Sequence, residues 1–499
     1  MNANFYAAIE AANRGRMQRE LLETESGKTF SYTDLAHASA RYANLLTGLG
    51  ARRGDRVAVQ VDKSPASLFL YLGCLRAGLV YLPLNTAYQR GELSHFVGDA
   101  EPTMVVCRPP AAELMRQLCG GRSQVVTLDE DGGGSLGRAA TGVASDFTTA
   151  EMQPGDPAVI IYTSGTTGRS KGAVVTHRNL WSNARVLVDF WKFGEHDVLL
   201  HALPMFHVHG LFVANHCALL AGAKLLWHGR FDVNLVMRDL LRASVMMGVP
   251  TFYTRLLNKP GFTRALCNNV RLFVSGSAPL QLETFRDFEV RTGKTILERY
   301  GMSEAGMISS NPLAGERRGG TVGFPLPGIS VRIADERDRQ VATGVIGAIQ
   351  VKGKNVFAGY WRMPEKTREE FTADGYFRTG DVGAIDRDGY LSIVGRAKDL
   401  IISGGYNVYP REIELVLDAI PGVAESAVIG VPHADFGEAV TAVVVAQKNA
   451  RLDPAAVIGA VKDVLANYKV PKAVHFVDDL PRNAMGKVQK ALLRKRYGK

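Results

Sequence analysis

Residues 163 to 172 read Thr163-Ser164-Gly165-Thr166-Thr167-Gly168-Arg169-Ser170-Lys171-Gly172, and all are small, hydroxylated or cationic. The glycines let backbone amides approach a ligand closely and permit positive φ. The hydroxyls of Thr163, Ser164, Thr166 and Thr167 add donors, and Arg169 and Lys171 add positive charge. Successive backbone amides in such a loop form an anion-binding concavity. The chemistry this composition suits is the holding of a polyphosphate. A Walker loop is excluded, because five residues after Gly165 stands Ser170 where that motif needs a glycine. The competing reading is a flexible Ser/Gly/Thr turn with two solvated cations.

A second constellation is Tyr300-Gly301-Met302-Ser303-Glu304, after the strand-like run Thr295-Ile296-Leu297. An aromatic face can pack on a base, and a carboxylate can hold a hard cation such as Mg²⁺ beside phosphates. His201, His207, His209 and His216 cluster around Leu203-Pro204-Met205-Phe206. His207 and His209 are two apart and are expected to share a strand face. Without Asp, Glu or Cys among the four, zinc is not the expected occupant. No metal-hydrolase His pattern, Gly-x-Ser-x-Gly elbow or Gly-x-Gly-x-x-Gly loop competes with these segments.

The loop at 163–172 needs a rigid element before it, and Ala158-Val159-Ile160-Ile161-Tyr162, bounded by Gly155 and Pro157, reads as a buried strand. Strand and helix patterns alternate through the first 400 residues. Arg56 to Val61, Pro65 to Ala77 and Leu79 to Leu84 make a βαβ unit, and similar units are expected around 157–185, 196–227 and 245–275. Asp131 to Gly137, with three consecutive glycines, reads as a surface loop. After residue 395 the texture changes. A helix (Pro410 to Ala419), two alternating strands (Ser426 to Val431, Ala439 to Ala446), a helix (Asp453 to Ala466) and a short strand (Val474 to Val477) predict a small α+β domain. The fold class is α/β: a large N-terminal domain of parallel-rich layers over 1–395 and a small mobile α+β domain over 396–499, hinged at 396–398.

At 499 residues the chain is too long for one core, and with 46% hydrophobic and 22% charged residues it is ordinary globular material. A net charge of +10 suggests an anionic partner. Lys and Arg are scattered except at Arg494-Lys495-Arg496, so a nucleotide or coenzyme A accounts for the balance and nucleic acid is not expected. The five cysteines have no C-x-x-C spacing and read as buried free thiols of a reducing compartment. No signal peptide, peroxisomal tripeptide or 18-residue apolar stretch is read, so the expected location is cytoplasmic, off the membrane.

The loop at 163–172 matches the phosphate-binding signature of adenylate-forming enzymes, which include acyl-CoA synthetases, luciferases and peptide-synthetase adenylation domains. Segments 204–207, 275–280, 300–304, 378–381, 395–412 and 481–487 resemble that family's remaining motifs in the same order. The resemblance implies a carboxylate attacking the ATP α-phosphate, then a thiol displacing AMP from the acyl-adenylate. It implies ATP or AMP contacts from Thr163, Ser164, Gly165, Thr166, Thr167, Gly168, Lys171, Ser277, Ala278, Glu298, Tyr300 and Ser303. Asp381 would hold the ribose hydroxyls and Arg396 would lie near ribose and phosphate. Glu304 would carry Mg²⁺; Lys487, after Pro481 and Gly486, would bridge carboxylate and α-phosphate; His207 would close the carboxylate pocket, the other three histidines being structural. Lys398 matches the hinge, and Gly404-Gly405-Tyr406 would line a thiol tunnel after the small domain rotates. Ser303 departs from the family threonine but keeps its hydroxyl.

Only residues 488–499 follow Lys487, so free coenzyme A is the expected acceptor rather than a carrier domain. Many family members carry a small or neutral residue where this chain has Arg299. A guanidinium at an acyl pocket is costly unless paired, and a second carboxylate on the substrate would pair it. The other reading is an ion pair with Glu298 or another acid of the chain. Glu-Arg-Tyr-Gly-Met together with 249–255 looks like malonyl-CoA synthetases, with Ser277, Met302 and Arg255 as further acyl contacts. Malonate, ATP and CoA are thus the expected substrates. The alternatives are methylmalonate, another short or aromatic acid, or a non-catalytic adenylate-binding protein. A mobile lysine at 487 is also an expected target of a lysine acetyltransferase and deacetylase, since acetylation removes its charge.

Overall fold

The computed structural model describes residues 2–163, 170–403, 406–433, 435–483 and 486–498. Two large sheets carry the N-terminal part. The seven-stranded one runs Gly359–Tyr360, Lys171–Thr176, Pro157–Thr163, Val80–Pro83, Arg56–Gln60, Met104–Cys107, Gln124–Thr127. The nine-stranded one contains, side by side, Gly306–Ser310, Ile296–Met302, Leu272–Ser275, Val245–Gly248, Val198–His201 and Lys224–Trp227. One apolar core joins the two, with Val57, Tyr81 and Val159 of the first and Leu199, Met246 and Phe273 of the second in the same cluster. A four-stranded antiparallel sheet, Ile329–Ala334, Gly347–Gly353, Phe377–Ile385 and Leu391–Arg396, follows.

The next sheet starts at Ile401–Ser403 and is built on the long hairpin Val423–His433 and Gly437–Ala446, with Ala473–Val477 parallel to the latter. It has its own core of Ile401, Ile413, Leu417, Val428 and Val444. Arg396 ends the last strand before it, and the turn Ala397–Asp399 intervenes. The helix Lys490–Tyr497, which the sequence reading did not anticipate, buries Leu493 against Ala427 and Ile429. Its mean composition is too basic for a clear apolar stripe.

Three further expectations need correction. Around 157–185 there is no βαβ unit: Pro157–Thr163 and Lys171–Thr176 pair antiparallel, with Thr163 opposite Lys171. The seven residues that separate these two strands in the sequence are too few for a parallel crossover, which takes a dozen or more residues. Of the loop predicted over 131–137, the second half is helical, Gly134–Ala140, with Leu136 buried. Finally, from Ile296 to Arg396 the strands pair mostly antiparallel, and the alternation with helices lapses. The parallel units at 196–227 and 245–275 are present.

Candidate active site

Thr163 closes its strand, and its hydroxyl donates to Glu304 Oε1 at 3.1 Å. Tyr360 donates to the same oxygen at 3.2 Å. Lys171, on the other arm of the hairpin, holds its ammonium 4.5 Å above the Tyr360 ring and 3.7 Å from Glu370 Oε1. Burial pushes the Glu304 carboxyl above its ordinary range, while backbone and Thr163 hydrogen bonds oppose the shift. Tyr360 and Glu370 escaped the sequence reading, because neither lies in a recognisable motif. Ser164, Gly165, Thr166, Thr167, Gly168 and Arg169 lie outside the described residues. The loop re-enters at Ser170, whose carbonyl accepts from His95 at 2.8 Å.

Tyr300, Gly301 and Met302 extend Ile296–Met302 past its parallel partner to pair antiparallel with Gly306–Ser310. A Cβ on Gly301 would stand 2.3 Å from the Gly306 carbonyl, so glycine is required where the two strands close up. The Tyr300 hydroxyl donates to Asp381, and burial with that neighbouring carboxylate raises its pKa well above the usual phenol range. Asp381 stands opposite Arg396 across neighbouring strands, and Arg396 Nε lies 2.6 Å from Asp381 Oδ1. Two weak sequence matches, fifteen positions apart, are thus one cross-strand ion pair.

Arg299, next to Tyr300 on the strand Ile296–Met302, is 3% exposed. Its guanidinium lies against Gly276, where a Cβ would come within 2.2 Å of Nη1. Nε and Nη2 are buried with no hydrogen-bond partner among the described residues. Burial lowers its pKa to about 10, so it remains a cation at neutral pH. Glu298 does not pair with it. One oxygen of Glu298 accepts from Leu280 N at 3.1 Å, the other has no partner, and burial raises this carboxyl to about 7. Ser277 adopts a left-handed φ of +72°, rare for a residue with a side chain, and its hydroxyl reaches His209 Nδ1 at 3.3 Å. Ala278, next to it, is half-buried.

His207 and His209 do not share a strand face. His207 sits in the loop after Val198–His201, and His209 opens a π-helical turn, His209–Ala214. Burial, then Arg299, then Lys487 lower His207 to about 4, so it is neutral. Met302 packs towards Phe357 and Tyr360, and Ser303 faces Phe212 and His216. Arg255 is not brought to Arg299. It projects, exposed, from the helix Pro250–Leu257 two residues after the buried Tyr253, and that helical phase turns it outward.

Lys487 reaches this cleft from the C-terminal part. Asn483 N donates to the Lys487 carbonyl and Lys487 N to Asn483 Oδ1, each at 3.0 Å. Gly486, at φ +73°, lies against Thr251 of the N-terminal part. Lys487 is exposed as a whole residue, while desolvation of its ammonium and then the nearby Arg396 lower its pKa to about 8. Lys398 is exposed on its turn, Tyr406 stacks on Tyr468 at 4.7 Å, and Gly404 and Gly405 lie outside the described residues. Among the described residues no group of three or more His, Cys, Asp or Glu gathers to hold a metal, all five cysteines are buried free thiols, and no helix is long and apolar enough to cross a membrane.

The family models for "AMP-binding enzyme" and "AMP-binding enzyme C-terminal domain" match residues 9–361 and 412–487. Malonate–CoA ligase of Arabidopsis thaliana is 35% identical over 94% of this chain and 85% of its own. Feruloyl-CoA synthase of an Amycolatopsis species is 36% identical over 97% and 98%. The ATP-bound crystal structure of MatB from Rhodopseudomonas palustris superposes with a TM-score of 0.98 at 52% identity, covering 100% of this chain and 99% of that one; the apo structure of MatB gives 0.87 at the same identity and coverage. The chain belongs to the AMP-binding, adenylate-forming enzyme family.

Proposed function

We propose that this enzyme ligates malonate to coenzyme A through malonyl-AMP, releasing pyrophosphate and then AMP. The observation that carries the acid is Arg299, a guanidinium 3% exposed whose buried Nε and Nη2 have no hydrogen-bond partner among the described residues. An isolated buried charge is strongly unfavourable, and a second carboxylate on the substrate supplies what the chain does not. The likeness to malonate–CoA ligases supports the same acid.

In the first half-reaction one malonate oxygen attacks the α-phosphorus and pyrophosphate leaves. Lys487, cationic below about pH 8, balances the negative charge that develops between them. His207, uncharged, closes the pocket without competing for the carboxylate. Asp381 holds the ribose while Arg396 and Tyr300 fix its orientation. Lys171 and the other hydroxyl, glycine and cationic residues of 163–172 hold the phosphates. Glu304, with Thr163 beside it, is a single carboxylate of the sort that carries Mg²⁺ together with substrate phosphates. Bound there, Mg²⁺ would offset phosphate charge. In the second half-reaction the CoA sulfur attacks the acyl carbon, AMP leaves with the bonding pair, and the thiol proton passes to solvent.

The high likeness to ATP-bound rather than apo MatB supports an arrangement suited to the first half-reaction. The second would then follow rotation of 396–499 about 396–398, bringing Gly404, Gly405 and Tyr406 to the acyl-adenylate. The test is AMP release by the full chain with malonate, methylmalonate, propionate or ferulate, with and without CoA. Malonate should lead, with CoA required for turnover. Preference for ferulate, the acid named in one relative, would replace malonate with a monocarboxylate.

A further inference from the structure

His209 shares the predicament of Arg299. It is 1% exposed, and its Nε2 is buried with no hydrogen-bond partner among the described residues. A buried polar atom left without a partner carries its full desolvation cost. Everything else about the ring is held. Its backbone N–H donates to His207 Nδ1 at 3.3 Å, and the strained Ser277 places a hydroxyl 3.3 Å from Nδ1. The π-turn that carries it is tied down as well. His201 Nε2 donates to the Gly210 carbonyl at 3.2 Å, while Lys63 Nζ lies 3.1 Å from His201 Nδ1. Single π-turns within helices concentrate at functional sites.

The charged and titratable groups that act on the ring are Arg299, His207 and His201, with no carboxylate among them. Burial and these neighbours keep it uncharged. The tautomer that lets the ring act as a donor into the pocket has the Ser277 hydroxyl donating to Nδ1 and the one ring proton on Nε2. The two orphaned donors flank one short stretch of chain, since Arg299 lies against Gly276 and His209 meets Ser277.

We propose that His209 is a specificity-determining residue, whose Nε2–H donates to the distal carboxylate that Arg299 neutralises. The inference rests on the dicarboxylate reading above. Arg299 supplies charge; the neutral imidazole supplies direction, and a monocarboxylate leaves its N–H unmet. His209 therefore discriminates between acids of equal length that differ in that group.

The experiment compares kcat/KM for malonate and propionate in the full-length parent, Arg299→Met, His209→Leu, His209→Gln and His209→Asn. The amide nitrogen of glutamine reaches the position of Nε2, and that of asparagine the position of Nδ1. We expect His209→Leu to lower the malonate-to-propionate ratio roughly ten- to a hundred-fold, as for a hydrogen bond to a charged group. His209→Gln should restore most of the ratio and His209→Asn should not. Equal loss on both acids in His209→Leu, or equal ratios in the glutamine and asparagine variants, overturns the proposal. Should His209→Leu fail to fold, the glutamine–asparagine pair decides alone. A parent without preference for malonate sinks the dicarboxylate reading instead. A parent that prefers malonate, loses that preference in Arg299→Met and keeps it in every His209 variant sinks only the role of His209.

Discussion

Asp381 and Arg299 are equally buried, at 3% exposure each, and are treated in opposite ways. Asp381 accepts from Tyr300 and pairs with Arg396. Arg299 has two buried nitrogens with no hydrogen-bond partner among the described residues. At the nucleoside end the polar groups satisfy one another before any ligand arrives, so ligand binding there trades one partner for another. At the acyl end the fold leaves a cation and a neutral donor unsatisfied. That arrangement disfavours the empty state and favours an occupant with a second negative charge. On the proposed function, stability is drawn from the first end and selectivity from the second.

The largest effect that could break this contrast is on selectivity. Arg299→Met should lower kcat/KM for malonate relative to propionate by about 3–5 kcal/mol, the range for losing one partner of a buried charged pair, or roughly a hundred- to several-thousand-fold. A ratio that does not move would make Arg299 a structural residue. Next, Lys487→Ala should slow malonyl-AMP formation about a hundred- to a thousand-fold. The variant should still convert supplied malonyl-AMP to the thioester. Pyrophosphate release in single turnover, set beside thioester formation from the adenylate, separates the two steps. Loss of both would place Lys487 outside the role assigned here.

The contrast sharpens in the apo protein. Asp381→Ala strands Arg396 and the Tyr300 hydroxyl, and should destabilise the fold by about 1–3 kcal/mol, reduced from a fully buried pair because Arg396 retains 28% side-chain exposure. Arg299→Met removes an unsatisfied donor set, so denaturant midpoints should hold or rise. Both variants falling together would mean that the two ends are satisfied alike. The smallest effect concerns pH. Lys487 in the free enzyme has a pKa lowered to about 8 and must be charged to act, so its contribution is present below that value and lost as pH rises through it. Malonate kcat/KM should fall about tenfold per unit above pH 8. Lys487→Arg should move that limb upward, because guanidinium keeps its proton.

Much of this molecule follows from local pattern. The buried strand before the phosphate loop, the parallel units at 196–227 and 245–275, and the helix and hairpin of the C-terminal part all rest on hydrophobic period and turn residues. These act over a few positions and are legible in a single sequence. Thr163, Tyr300, Glu304, Asp381, Arg396 and Lys487 stand on short motifs, which is why a single sequence offers them as candidates for the proposed chemistry. Whether a charge is satisfied is another matter, since it depends on which strands lie side by side. Asp381 meets Arg396 through sheet register, Tyr360 and Glu370 reach Lys171 across the fold, and Arg255 is turned away by helical phase. The open ends of Arg299 and His209 are likewise absences of partners. An absence has no sequence signature; only the packing of every neighbouring element decides it.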